Sequence, residues 1–525
     1  MCDNTKIQLK DLRIGKTDAK NELLNGSPEE NKFFENSFLL PDSLSIKDFT
    51  EDNIFFITGM KGTGKTALLR FLEIEIRKFN PNSITTFILF KSDITEDTRV
   101  EFTRAANSFI TIKDIDEKEF DRFLKVWEWF FYRQIVRLSE ESNYSIFIKD
   151  DNWQQFHECM RLPVASKEKG WFSNLGIKIK HGNVKIEGGT KNLKVSLGLD
   201  FDVESTGQKE VNFSKLVSTA NYLFGKLTPT GFPLFIFVDE LEVSLASSKQ
   251  YKRDLSLIKD LVLTVAEFNR RCIGLKYPIK IICGIRSEVI SAVENIGHEL
   301  NKLITDFGKP LNWQRAGNDY PNHPLIKLVE KRIVASEIAL AIPPTPSDKI
   351  WEKYFSPRFN TDSIQKYIIE QTWERPRDII RLLDISKKHF GNESMFSQKV
   401  FEGIAKDYAK ESWIEISEEL SAIYRPEEVK GIQILLMGIN CPFSYFDIKE
   451  IAKNKRELYV EVENLMVKYR LPDILNNLYN VGIIGNDGER IRFSFRGDEG
   501  LLLEKPMKIV NPLWKFLSVT RKQKV

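Results

Sequence analysis

The chain has 525 residues, which is enough for about three domains of ordinary size. Its 42% hydrophobic and 29% charged residues are typical of a globular protein with a sizeable core, and they exclude a fibrous or low-complexity chain. A formal net charge of +3 neither requires nor excludes a nucleic-acid partner, so any basic surface must be local.

The cysteines and the apolar runs limit the cellular setting. The five cysteines are scattered, with no Cys-x-x-Cys pair and no histidine at ligand spacing, which argues against a zinc site or a disulfide framework. This usage fits a reducing cytosol. The N-terminus carries no apolar signal segment, and no apolar run is long enough to span a bilayer. We therefore expect a cytoplasmic protein with no membrane partner.

The first 50 residues form a charged lead-in. It ends in an aromatic segment, Phe34–Pro41. We expect this segment to lie along the surface as a strap; the alternative is that it packs beside the nucleotide site or against the first strand.

The next stretch carries the most specific motif of the chain. An apolar run leads into the pattern G-x-x-x-x-G-K-T, and a helix-forming run follows, which is the context of a phosphate-binding P-loop. Glycines permit backbone angles closed to other residues, so successive N–H groups can point at phosphate oxygens, and the helix adds its positive dipole end. We expect the lysine to contact the β and γ phosphates and the threonine hydroxyl to bind Mg²⁺. The predicted nucleotide-binding residues are Gly59, Lys61, Gly62, Thr63, Gly64, Lys65, Thr66 and Ala67.

A strand, an aromatic helix and a meander follow the P-loop helix. Ser83–Phe90 is β-branched and apolar and predicts a second core strand. Glu117–Glu141 carries aromatic side chains at helical spacing, a stripe that ordinarily belongs to the core. Residues 171–205 alternate apolar and polar between glycine turns, including a run at 193–197, and predict a small antiparallel meander. Its lysines form either a solvated face or a contact with a partner or nucleic acid.

A continuous apolar run, Phe232–Val238, ends in Asp239 and Glu240. This pattern predicts a buried parallel strand with carboxylates at its C-terminal end, where open α/β sheets bind ligands. We expect Asp239 to hold Mg²⁺ and Glu240 to orient or deprotonate the attacking water. The distance along the chain from the P-loop far exceeds the roughly thirty residues of a βαβ crossover, which indicates an insertion at about residues 100–210.

A further strand and a helical region complete the predicted site. After a helix over residues 250–272, the run Ile279–Arg286 predicts a strand that ends in an arginine. Arg286 either contacts the γ-phosphate or forms an ordinary salt bridge at the strand end.

A helix over residues 322–340 and a proline-rich break at 341–346 end the predicted α/β domain. The helical pattern at 363–388 is interrupted before Pro376, which fits the first turn of a helix. Arg375 and Arg377 therefore lie at a helix N-terminus. There they either face a phosphate or pair with carboxylates of the same helical region.

The C-terminal part, from about residue 413, predicts a winged helix. Short helices precede the hairpin signal Asn486–Gly488 and an alternating run to Arg496, which predicts a strand. Three arginines on one face of that strand, Arg490, Arg492 and Arg496, suit contact with DNA phosphates. The acidic residues beside them, including Glu499, suit a protein-interaction module instead.

The order of these motifs resembles the STAND and origin-recognition branches of the AAA+ ATPases. The segments Gly59–Leu69, Trp373–Leu383 and Asn480–Arg496 are similar to a poorly characterised bacterial P-loop ATPase family sometimes found near phage-defence genes. The resemblance implies that Arg286 is the arginine of sensor 1, and Arg377 (or Arg375) that of sensor 2 in a helical lid. The long insertion and the lack of a repeat array after the winged helix depart from the family pattern. No N-K-x-D motif is present, which favours ATP over GTP.

We therefore expect an α/β P-loop NTPase fold of the AAA+/STAND type. Its predicted parts are a lead-in (1–50), an ATPase domain (51–340), a helical lid (341–412) and a winged-helix-like domain (413–525).

The expected function is an ATP-hydrolysing switch with ATP and Mg²⁺ as cofactors, in which Glu240, Lys65 and Arg286 act in catalysis. It would couple its nucleotide state to a protein partner or to self-association, and the resemblance implies a role in antiviral defence. The alternative is an ATP-gated DNA-binding protein that resembles the origin-recognition ATPases.

Overall fold

The computed structural model describes residues 7–23, 26–107, 123–161, 179–180, 183–186, 202–203, 209–243, 248–294, 300–315, 317–421, 423–498 and 500–518. The chain forms two compact units. The sheet unit comprises Asp42–Lys61 and Leu68–Leu311, and the helical unit comprises Met1–Pro41, Gly62–Ala67 and Asn312–Val525.

The elements are numbered along the chain. The helices are α1 (Pro28–Ser37), α2 (Ile46–Thr50), α3 (Lys65–Phe79), α4 (Phe90–Asp93), α5 (Glu96–Asn107), α6 (Leu124–Glu141), α7 (Asp151–Met160), α8 (Phe213–Phe224), α9 (Ser248–Gly274), α10 (Ser287–Glu294), α11 (Asn301–Phe307), α12 (Pro324–Ala339), α13 (Ser347–Tyr354), α14 (Ile364–Glu370), α15 (Pro376–His389), α16 (Gln398–Leu420), α17 (Pro426–Leu436), α18 (Tyr445–Leu458), α19 (Val460–Lys468), α20 (Leu471–Asn480) and α21 (Asn511–Leu517). The strands are β1 (Phe56–Gly59), β2 (Ile84–Leu89), β3 (Ile179–Lys180), β4 (Asn183–Ile186), β5 (Asp202–Val203), β6 (Lys209–Asn212), β7 (Leu234–Asp239), β8 (Ile279–Arg286), β9 (Gly308–Pro310), β10 (Arg358–Phe359), β11 (Asp362–Ser363), β12 (Ile484–Asn486) and β13 (Met507–Ile509). Short 3-10 helices span Leu9–Asp11, Ala19–Glu22, Tyr320–Asn322 and Ser494–Arg496.

A five-stranded parallel sheet organises the sheet unit, in the order β2-β7-β8-β1-β9. Every residue of β7 is buried, which is why that strand is a continuous apolar run rather than an alternating one. The prediction of an α/β fold with a parallel sheet is confirmed. The strand register places Gly59 beside Arg286 and Leu89 beside Asp239, so these strand ends lie along one edge.

The aromatic stripe of α6 belongs to the core of the sheet unit. Trp127, Trp129 and Phe131 are almost fully buried, and the Trp127 ring meets Phe102 edge-on at 4.9 Å between ring centroids. The predicted helix began at Glu117, and its first residues lie outside the described part of the chain. Within that part, the core interpretation of the stripe is confirmed.

The meander is an antiparallel sheet in the order β3-β4-β6-β5. The antiparallel arrangement predicted for this region is present in these four short strands. The predicted run at 193–197 and the glycine turns at 182 and 188–189 lie outside the described residues.

The helical unit includes most of the N-terminal lead-in, Met1–Pro41, whereas the rest of it belongs to the sheet unit. The α1 helix packs on α12, and its Phe33 and Phe34 are buried. The backbone N–H of Arg13 donates to Ser336 Oγ at 2.6 Å, and Arg332 Nη1 donates to the Ile14 carbonyl at 2.8 Å. This part of the lead-in thus belongs to the same unit as α12.

The division into units differs from the predicted boundaries at residues 50 and 340. Residues from Asn312 onward belong to the helical unit. The reason is packing: α12 contacts α1, α13, α14 and α15, all of which belong to that unit. The proline-rich break after α12 therefore lies inside a unit rather than at its edge.

The predicted strand Arg490–Arg496 is wrong. The β12 strand pairs with β13 instead, while the 490–496 segment contributes one isolated bridge at Arg492 and then a 3-10 turn. The alternation that predicted a strand arises from Phe493 and Phe495, whose rings stack at 4.8 Å and are buried. Core anchors in an irregular segment thus gave the same spacing as a strand face.

Candidate nucleotide site

The strand, loop and helix predicted around the P-loop motif are present. The β1 strand ends at Gly59 and α3 begins at Lys65. Gly62 and Gly64 have φ angles of +83° and +99°, a region that L side chains rarely adopt. The space at Gly62 is also tight, because an added Cβ would lie 3.3 Å from Arg377 Cβ. The backbone angles of both glycines therefore favour residues without a side chain.

Two segments of the helical unit hold the main chain of the P-loop. The Trp313 indole N–H donates to the Thr63 carbonyl at 2.7 Å, and Trp313 is buried. The Arg377 backbone N–H donates to the Gly62 carbonyl at 3.4 Å, at the long end of the hydrogen-bond range. Trp313 was not predicted, since a single tryptophan outside a periodic run gives no signal in the sequence.

The arginines of the Arg-Pro-Arg turn pair with carboxylates. Arg375 is buried and contacts Asp378 at 3.0 Å and Glu419 at 3.2 Å. Arg377 contacts Glu415 at 2.9 Å, and its Nε donates to the Thr17 carbonyl at 3.0 Å. The sequence left open whether these arginines face a phosphate or pair with carboxylates, and in the structure both side chains pair with carboxylates. The backbone of Arg377 nonetheless lies against the P-loop.

Asp378 is the centre of this ion network. It is fully buried between Arg375 and Arg381, and it also accepts the backbone N–H of Trp373 at 3.0 Å. Burial acts to raise the pKa of Asp378, but Arg375 and Arg381 together with the hydrogen bonds hold this pKa below its ordinary value. The stability gained from this depression is complete at neutral pH. It is lost as the pH falls through about 4 and below, where the unfolded carboxyl is protonated first.

Replacing Asp378 with alanine should destabilise the helical unit strongly. The change leaves two buried guanidinium groups without their shared partner, and we expect a loss of about 3–5 kcal/mol in the free energy of unfolding. Urea unfolding followed by tryptophan fluorescence measures it. Asp384→Ala is the control, because Asp384 pairs with the exposed Lys388, and it should cost less than about 1 kcal/mol. Equal effects of the two variants would show that the network adds little.

The sheet unit brings the other predicted residues to one edge. Asp239 is the last residue of β7 and is 3% exposed, and Arg286 is the last residue of β8. Glu240 follows with a φ angle of +57°, which is unusual for a residue other than glycine and asparagine. Such strained residues cluster at functional sites. The register sets Arg286 beside Gly59, where the P-loop begins.

The oxygen donors predicted for a metal are of the right kind for Mg²⁺. Asp239 offers a carboxylate and Thr66 a hydroxyl, and Mg²⁺ commonly takes one or two protein oxygens together with phosphate oxygens and water. Among the described residues, no group of three or more His, Cys, Asp or Glu side chains is placed to hold a metal ion.

Arg286 forms a salt bridge at the strand end, which is one of the two interpretations left open by the sequence, and the identity of its partner was not predicted. Its Nη2 bonds to Oε1 of Glu242, and Oε2 of the same carboxylate lies 2.9 Å from Lys91 Nζ. Lys91 follows β2 and Glu242 follows β7, and these two strands are neighbours in the sheet. Residues that follow adjacent parallel strands meet at the same edge, but the sequence does not say which strands are adjacent, so it did not reveal this pairing.

The three C-terminal arginines also have carboxylate partners. Arg490 and Arg492 lie 3.0 and 3.8 Å from Asp498, and Arg496 lies 2.7 Å from Glu374. Glu499, which was expected to flank them, lies outside the described residues. The basic face expected for DNA contact is therefore neutralised in part by its own unit.

Comparison with known proteins gives one match. Residues 323–416 match the model of a family described as the FunZ-associated C-terminal helical domain. The matched segment contains α12 to α15 and most of α16, and with them Arg375, Arg377 and Asp378. Neither the curated proteins nor the solved structures include a match to the chain. None of the helices in the described ranges has the length and hydropathy that a membrane span requires.

Proposed function

We propose that the chain is an ATP-binding and ATP-hydrolysing switch of the AAA+/STAND type that passes its nucleotide state to a protein partner or to further copies of itself. ATP would bind at the P-loop with Mg²⁺ on Thr66 and Asp239, and Glu240 would activate the attacking water. Bacterial defence against phages is the setting that the sequence resemblance implies. The observation that carries the proposal is a double connection, within the helical unit, from the P-loop to residues 482–496.

The first connection runs through two consecutive residues. Trp313 donates to the Thr63 carbonyl at 2.7 Å, and the side-chain amide of Gln314 donates to the Phe495 carbonyl. A displacement of Thr63 therefore acts on the position of Phe495 through one short segment.

The second connection runs through the turn at Trp373–Arg377. At one end, the Arg377 N–H donates to the Gly62 carbonyl. At the other end, Trp373 Nε1 donates to the Gly482 carbonyl at 2.9 Å, and Glu374 accepts from Arg496 at 2.7 Å. Glu374 has a φ angle of +52°, so the turn is held in a conformation that costs energy and needs its contacts.

The chemistry of the peptide group links these connections to nucleotide. The Gly62 carbonyl shares a rigid peptide plane with the Thr63 N–H, and the Thr63 carbonyl shares one with the Gly64 N–H. Phosphates bound by these N–H groups would fix the two planes, and with them the acceptors of Arg377 and Trp313. A ligand shifts a conformational equilibrium by its differential affinity for the two states, and these carbonyls are where that difference would arise.

The pairing of the C-terminal arginines does not favour ATP-gated DNA binding. Arg490, Arg492 and Arg496 each contact a carboxylate, so phosphate contacts would have to replace existing ion pairs. We therefore propose that the segment with these three arginines contacts a protein rather than DNA.

The test is hydrogen–deuterium exchange of residues 482–496 with and without a non-hydrolysable ATP analogue. Wild type should show a change in protection on nucleotide binding. In a Gln314→Ala/Arg496→Ala variant, the coupling free energy should fall by about 0.5–2 kcal/mol while ATP still binds. Arg490→Ala is the control, because the exposed Arg490 pairs with Asp498 and takes part in neither connection.

Two results would count against the proposal. Wild type that binds no ATP would remove it entirely. A double variant that responds to nucleotide as strongly as wild type would show that these bonds do not carry the effect of nucleotide to residues 482–496.

A further inference from the structure

A group of cations lies at the edge of the parallel sheet where the P-loop begins. Arg286 ends β8 beside Gly59, and Lys91 lies just after β2. In this structure both cations contact the carboxylate of Glu242, one at each oxygen. Both oxygens of Glu242 are thus engaged by cations at the edge of the sheet where the P-loop begins.

The surroundings of Glu242 keep it ionised. Burial acts to raise the pKa of Glu242, but Arg286, Lys91 and the P-loop residue Lys61 together hold that pKa below its ordinary value. Its side chain is 27% exposed. An anion here is therefore stabilised by three cations, one of which belongs to the nucleotide-binding motif itself.

A carboxylate and a terminal phosphate satisfy the same partners. Both present anionic oxygens to the fork of a guanidinium and to an ammonium, and both make charge-assisted hydrogen bonds. A γ-phosphate would bring more charge and more oxygens than Glu242 offers. ADP has no γ-phosphate and leaves these two cations to the carboxylate.

We propose that Glu242 is an internal competitor for the terminal phosphate of the nucleotide. Its carboxylate occupies Arg286 and Lys91 in the absence of a nucleoside triphosphate, and the γ-phosphate displaces it from both when a triphosphate binds. Lys91 is thereby assigned as a phosphate ligand, and Glu242 sets the preference between triphosphate and diphosphate. This inference rests on the proposed ATP-binding function.

The experiment compares two nucleotides on matched variants of the full chain. Equilibrium titrations with a non-hydrolysable ATP analogue and with ADP, both in the presence of Mg²⁺, give the affinity ratio. Glu242→Gln should raise the affinity for the ATP analogue roughly tenfold, the scale of one charge-assisted hydrogen bond, and leave ADP binding unchanged. Lys91→Ala should lower the affinity for the analogue by a similar factor, again without effect on ADP.

Glu96→Gln is the control, because it also removes a glutamate that pairs with an arginine in the sheet unit, Arg253, at 2.6 Å. It should leave the affinity ratio unchanged. An unchanged ratio in Glu242→Gln, or a lower affinity for the analogue, would overturn the inference and make Glu242 a residue that merely positions Arg286. In that outcome nucleotide binding itself survives. Failure of wild type and of every variant to bind either nucleotide would overturn the inference together with the proposed function.

Discussion

Lys65→Ala is expected to abolish ATP binding. Lys65 is the first residue of α3 and is 8% exposed, so its charge is held where the P-loop meets the helix N-terminus. In a P-loop this charge contacts the β and γ phosphates. Each hydrogen bond to a charged group contributes about 1.5–3 kcal/mol, so the loss of two should weaken binding by at least about a hundredfold.

The measurement is an equilibrium titration with ATP and Mg²⁺, with circular dichroism to confirm that the variant folds. Lys78→Ala is the matched control, since it removes a lysine near the other end of the same helix, 3.6 Å from Glu75. It should bind ATP like wild type. Tight ATP binding by Lys65→Ala would remove the nucleotide assignment of the motif.

Glu240→Gln should bind ATP and fail to turn it over. Glutamine keeps the size of the side chain and can adopt the same backbone, but it cannot accept a proton from the attacking water. Loss of a general base costs about 10²–10⁴-fold in rate. Steady-state phosphate release measures this, and Glu288→Gln, at an exposed position in the first turn of α10, is the control.

The same assay with duplex DNA separates the two functional hypotheses. If the rate of ATP turnover by wild type is the same with and without DNA, the result fits a switch that acts on a protein. Stimulation by DNA that is lost in Glu240→Gln would favour the origin-recognition alternative. Normal turnover by Glu240→Gln would take Glu240 out of its predicted role.

Much of the sheet unit could be predicted because its signals are local. A strand buried on both faces has to be apolar throughout, and β7 is, so the Asp-Glu pair at its end could be found by eye. The P-loop glycines are required by backbone geometry, which leaves a fixed spacing in the sequence. The helix start at Pro376 is likewise set by local chemistry.

The rest depends on pairs that are far apart in the chain. Nothing near Arg286 indicates that it shares Glu242 with Lys91. Nothing near Thr63 indicates Trp313, which lies 250 positions away. The alternation before Arg496 predicted a strand, because two stacked rings in an irregular segment repeat at the same interval as a strand face. Local sequence patterns predict whether a segment is a helix or a strand better than they predict which residues it contacts.

The helical unit combines segments that are far apart in the chain, and this has a consequence for its biosynthesis. The P-loop segment Gly62–Ala67 folds with residues beyond Asn312, and its partner Arg377 is made more than three hundred residues later. At bacterial or eukaryotic elongation rates of about 5–20 residues per second, that interval is roughly 15–60 s. During that time the nascent P-loop lacks both Arg377 and the C-terminal residues it is connected to. A ribosome-bound chain that has not yet reached Arg377 therefore lacks its hydrogen bond to Gly62, and the switch proposed above would need the residues that are made later.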